Sequence, residues 1–266
     1  MVSEGFAQRR RALSERLIDA LVALFLGLGS WRDEDAARFV AQAVPLVEGA
    51  QHTLAGLVAY FTAVQASEAV GVPVAPPPIP AEDVTGLRAG VTPAEVYRRP
   101  FTTVYTGLGR GLDLPTAVER GATRLQEITE MDLQQTYARA ARSAMRSLPG
   151  RARPTGWRRV LVGPGNCALC VVASTQRYTL ADLNPIHPGC DCTVAALYGG
   201  QEHVIEPELL ERVHGAVEEL TGQADRGARA PDYRKLVVSM TREHGELGPL
   251  LVRPLDRFTT AAQLPT

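Results

Sequence analysis

The chain has 266 residues, 45% hydrophobic and 21% charged, with a formal net charge of −1. This length suits one large domain or two modest ones, and the composition is that of a folded soluble protein, not a disordered tail. A balance so near neutrality excludes a bulk polycation, so any contact with nucleic acid must be local.

The amino-terminal stretch carries Arg9, Arg10 and Arg11 ahead of an apolar run, 17–28. Asp19 interrupts that run, and it is shorter than the roughly 20 residues a membrane span needs. The expectation is a protein made in the cytoplasm with no membrane partner. Leu13, Leu17, Leu21, Leu24 and Leu28 step by helical intervals and predict an amphipathic helix ended by Gly27 and Gly29. Ser30 is suited to cap a second helix, with Asp33 and Glu34 in its first turn, where the helix dipole favours acids. Pro45 is expected to break or kink it. A third stripe, Leu54, Leu57, Phe61 and Val64, runs up to Gly71 and Pro73. "VPVAPPPIP" (72–80) then reads as a semi-rigid linker.

Helices resume at Thr92, where Thr92, Pro93 and Glu95 form a capping-box signature. Pro115 opens another helix behind Asp113 or Leu114, and a longer one is expected over about 123–148. Pro149, Gly150, Pro154 and Gly156 end the helical part. "WRRVLV" (157–162) predicts a strand, and "CTVAALY" (192–198) its partner. Pro207 opens a last helix with the stripe Leu210, Val213, Val217 and Leu220, closed by Gly222; "KLVVSM" and "LLVRP" predict two more strands. The expected fold class is α+β: a mainly helical N-terminal part, then a small cysteine-stapled module. The expected divisions are a helical unit 1–72, a linker 73–91, helices 92–149, a Cys/His module 150–200 and an extension 201–266.

All four cysteines fall between Cys167 and Cys192, as C-x2-C followed by H-x2-C-x-C. A C-x2-C turn lets two thiolates converge on one tetrahedral ion, and His187 with Cys190 makes a second pair of similar reach. Five candidate ligands, Cys167, Cys170, His187, Cys190 and Cys192, thus serve four positions, the fourth being His187 or Cys192. A structural zinc would hold together a module too small for a large core. Disulfides are an alternative, the count being even; so are buried thiols, or a catalytic thiol at Cys167 or Cys170 with His187 as base.

Residues 133–181 contain no Asp or Glu but hold Arg139, Arg142, Arg146, Arg151, Arg153, Arg158, Arg159 and Arg177. The first three share a helix face. They read either as a solvated face near acidic neighbours elsewhere in the fold, or as a contact for DNA phosphates or an acidic protein partner. No phosphate-binding loop, zincin or nucleophile-elbow motif occurs.

The order arginine-bearing helix, Gly-Trp-Arg-Arg strand (Gly156 to Arg159), C-x2-C, H-P-x-C-x-C and strand resembles the MuF-like family of phage minor head, or head morphogenesis, proteins. The likeness covers about residues 92–200, with a weaker one at "REHGELGPLL" (242–251) to relatives from phages of actinobacteria. The resemblance implies a non-catalytic protein carried in few copies inside the phage head near the portal, aiding head assembly or DNA delivery. Its implied partners are the portal protein, the major capsid protein, packaged DNA and further copies of itself. A capsid maturation protease, with Ser174 or Cys167 as nucleophile and His187 as base, is the enzymatic alternative. A toxin-like effector is a third.

Overall fold

The computed structural model describes residues 2–162, 165–183, 192–200, 202–221, 237–239 and 250–252. The chain forms two compact units, the first built from residues 1–150 and the second from 151–182 and the described residues beyond 191. It is mainly helical with small antiparallel sheets, an α+β composition.

The first unit packs four long helices, α1 (Val2–Leu26), α2 (Asp33–Val70), α4 (Pro93–Gly109) and α5 (Leu114–Ser147), with a single turn, α3 (Ala81–Val84), laid on α2 and α5. Helices α2 and α5 each touch the other three long helices. Phe25, Phe39 and Phe101 meet edge-on with ring centroids 5.2–5.8 Å apart, and Phe6 stacks on Phe61 at 4.4 Å. Each buried phenylalanine contributes about 1.5–3 kcal/mol of apolar transfer. Around these rings the faces are largely alanine, including Ala36, Ala43, Ala66, Ala117, Ala140 and Ala144, all nearly inaccessible. Side chains this short let helix axes come close.

Two expected interruptions are absent. Helix α2 runs unbroken through Pro45, because a proline removes one backbone hydrogen bond while Ala43 and Val47 on either side stay buried in the core. Helix α5 runs through Gly121, so the two helices expected over 114–148 are one. A Cβ at Gly121 would lie 2.7 Å from Val104 Cγ2 and 2.9 Å from Phe25 Cζ. The glycine is there for close packing.

The caps are mixed. Thr92 and Glu95 form the expected box, Asp113 accepts from the Thr116 N–H at 2.8 Å, and Gly71 ends α2 in the left-handed region at φ 75°. Ser30 does not cap α2: its N–H and hydroxyl both donate to Asp35, in the first turn, and Arg32 holds the N-cap position. The Pro-rich segment separates helices in sequence, yet α2 packs against α4 and α5 beyond it. In space, therefore, 1–72 and 92–149 share one core.

In the second unit, β1 (Gly156–Val160) pairs antiparallel with β3 (Thr193–Leu197), Gly156 opposite Leu197 and Val160 opposite Thr193. On its other side Trp157 exchanges two backbone hydrogen bonds with Tyr178, at 3.0 and 2.9 Å. The 176–178 segment is in turn held to 203–205 through Arg177 N–H to His203 and Ile205 N–H to Thr175. Gly156 is required here: a Cβ would stand 2.7 Å from the Tyr178 carbonyl oxygen. Trp157 is 1% exposed, stacks on Tyr178 at 4.7 Å, and donates from Nε1 to the Thr179 carbonyl at 2.7 Å. Backbone pairing also joins β2 (Gly165–Cys167) to β4 (Val237–Ser239), and β4 to β5 (Leu250–Val252). The helices α6 (Ala168–Ser174) and α7 (Pro207–Thr221) complete the unit.

Candidate functional site

Strands β1 and β3 flank the cysteine segment in sequence, and their pairing draws its two ends together. Cys170, in α6, and Cys192, one residue before β3, are both buried, at 1% and 2% exposure. Arg159, itself buried, donates from Nη1 to Cys192 Sγ at 3.3 Å, and its guanidinium lies 5.3 Å from the Trp157 ring centroid. Alternation along β1 sends Arg158 to the opposite face, where it pairs with Glu206 at 2.7 Å. The adjacent arginines therefore have different work. The backbone of Cys167 ends β2; its side chain, and the whole of His187 and Cys190, lie outside the described residues. Among the described residues no three metal-ligating side chains gather.

The expected arginine face is partly engaged within the first unit. Arg139, Arg142 and Arg146 line an open pocket of about 350 Å³ together with Glu82 and Asp83. Arg139 donates from Nη2 to the Leu87 carbonyl at 2.7 Å, and the Ser143 hydroxyl donates to Asp83 at 2.6 Å. These bonds strap α3 and the following loop to α5. Acids distant in sequence thus face the stretch that lacks them, and Arg146 is the most exposed of the three. Arg151 and Arg153 are exposed; Arg177 donates to the Glu202 carbonyl and to Thr155, both at 3.3 Å. Ser174 is buried, and its hydroxyl donates to the Val171 carbonyl at 2.7 Å.

One polar cluster had no signal in the sequence. Asp132 on α5 is buried, accepts from the Tyr97 hydroxyl at 3.2 Å, and forms an ion pair with Arg88 from the loop before α4. The Arg88 guanidinium lies against Oδ1 of that carboxylate. Burial pushes the Asp132 carboxyl above its ordinary range, against the lowering effect of Arg88. Tyr97 is pushed well above the ordinary phenol value by burial and by the Asp132 charge. The residues meet only in space, 35 positions apart for Tyr97 and Asp132.

No protein-family model, curated protein or solved structure matches the chain. Among the described residues no helix is long and apolar enough to cross a membrane.

Proposed function

We propose that this chain is a structural minor head protein of a tailed phage, MuF-like, carried in few copies near the portal and inside the head. Its work there is head assembly or the packaging and delivery of DNA. The observation that carries the reading is the ordered series in the sequence: arginine-bearing α5, the Trp-Arg-Arg strand, C-x2-C, H-P-x-C-x-C and a closing strand. The antiparallel pairing of β1 with β3 supports it, since a staple across the intervening segment needs both ends held close.

The staple in this reading is a structural zinc held by four of Cys167, Cys170, His187, Cys190 and Cys192. The donor chemistry fits: soft sulfur ligands suit zinc. The Arg159 N–H on Cys192 Sγ is the kind of outer-shell donor that a metal-bound thiolate takes, whereas a neutral disulfide sulfur gains little from a cation. Zinc would add folding free energy and no chemistry of its own. Portal protein, major capsid protein and DNA are the proposed partners, with Arg146, Arg151 and Arg153 the most exposed members of the proposed contact set.

The test is the intact mass of the chain recovered from purified particles of the encoding phage, native and then denatured without reductant. A full-length chain that loses one zinc on denaturation supports both the reading and the staple. A chain present without metal, and short of protons, keeps the minor head protein and replaces zinc by disulfides. Absence of the chain from mature particles overturns the reading.

A further inference from the structure

A second basic site lies in the first unit, away from the arginines the sequence singles out. Arg99, Thr102, Thr103 and Thr106 succeed one another along one side of α4, Arg110 caps its C-terminus, and Arg120 joins them from α5. Together they line an open pocket of about 300 Å³, and among the described residues no carboxylate lines it. We propose that this pocket binds a phosphate group, either free phosphate or a phosphodiester of a nucleic-acid strand. The proposal does not rest on the role of the chain in a phage head.

Four observations support it. First, the three arginines come from two helices, so their guanidinium groups can approach a tetrahedral oxyanion from more than one side, and guanidinium is the cation best matched to phosphate. Second, two nearby carboxylates accept hydrogen bonds at helix N-termini, and neither they nor Glu119, beside Arg120 in sequence, line the pocket. Glu95, one turn from Arg99, accepts from the Thr92 N–H and hydroxyl at 2.7 and 2.8 Å, and Asp113 accepts from Thr116. Third, three carbonyls in the last turn of α4, which would repel an anion, accept backbone hydrogen bonds. Thr106 and Gly107 accept from Arg110 N–H, Gly107 also from Leu112, and Leu108 from Gly111. Fourth, the cleft is built by close packing: a Cβ at Gly107 would be 3.3 Å from Ala117 Cβ and 3.3 Å from Leu112 Cδ1. Gly107 thereby lets α5 carry Arg120 alongside the α4 stripe. The pocket near Arg139 differs in that Glu82 and Asp83 share its lining and offset its charge.

The full chain should be titrated with inorganic phosphate by calorimetry and with a labelled 20-base-pair duplex DNA by anisotropy, over a series of salt concentrations. Arg110 and Arg120 are exposed, so R110Q/R120Q should keep the helical circular dichroism of the wild type. Loss of saturable phosphate binding in that variant supports a small-phosphate pocket. Duplex binding weakened about tenfold or more, with the salt slope lowered by about two, supports a backbone contact. R9Q/R16Q, at two exposed arginines of α1, is the control and should leave the phosphate isotherm unchanged. If neither probe binds, or if R110Q/R120Q binds as the wild type does, the proposal is overturned.

Discussion

Arg159 donates from Nη1 to the sulfur of Cys192 at 3.3 Å, joining the middle of β1 to the residue that enters β3. Both partners are buried, so losing either leaves the other's polar group short of a bond in a poorly solvated place. With any metal removed by a chelator, Arg159→Leu and Cys192→Ala should each cost about 1–3 kcal/mol. The double variant should cost less than the sum, with a coupling of about 0.5 kcal/mol or more. Urea unfolding of the four proteins measures this. Strict additivity would mean that the contact carries no stability.

Trp157 anchors the second unit through its stack on Tyr178 and its bond to the Thr179 carbonyl. Trp157→Ala should destabilise by about 3–5 kcal/mol. Trp157→Phe keeps most of the apolar contact but loses the indole donor, and should cost less. Chemical denaturation followed by circular dichroism tests the order.

Two glycines inside helices should respond in opposite directions to alanine. At Gly121 the new methyl would meet Val104 and Phe25 at under 3 Å, and overpacking of this kind costs about 1–3 kcal/mol. Gly49, exposed on α2, has nothing within 4 Å of its would-be Cβ. There alanine should stabilise by about 0.5–1 kcal/mol through the lost freedom of the unfolded chain. Thermal melts of G121A and G49A should bracket the wild type.

Asp132 predicts a sign in the pH dependence. Burial raises its folded carboxyl above the ordinary aspartate value of about 3.8, so the native state holds the proton more tightly than the unfolded chain does. Its contribution is therefore full below about pH 3.8 and is lost as pH rises through the folded value. Asp35, Glu95 and Asp113 act the other way. Hydrogen bonds from Ser30, Thr92 and Thr116 lower them, so their contribution is present above the unfolded value and lost as pH falls. The stability of the wild type minus that of D132N isolates the first effect and should decline with rising pH. An increase would mean that Arg88 outweighs burial.

Local patterns were legible in the sequence where one residue's chemistry settles the backbone. The Thr92–Glu95 box, the glycine stop at Gly71, the proline-opened α7 and the strand character of β1 and β3 all follow from short-range rules. Pro45 misled because packing outweighed propensity, and the helix over 114–148 was divided although it is continuous. Pro45 and Gly121 each weaken a helix locally, but both lie in long helices whose buried faces flank them. Ser30 was suited to cap α2, and the carboxylate of Asp35 took its donors instead.

By itself the sequence determined the class of the chain, its helix-rich first part, the strands that bracket the cysteines and the clustering of every thiol within 26 residues. Only the tertiary structure decided which arginines are spent and which are available. Arg159 is turned inward onto Cys192, Arg158 is paired with Glu206, and Arg139 is bonded to Leu87, while Arg99, Arg110 and Arg120 share an open pocket. The reason is physical: a guanidinium's role depends on which acceptors lie within about 3 Å of it, and those acceptors come from elements far away along the chain.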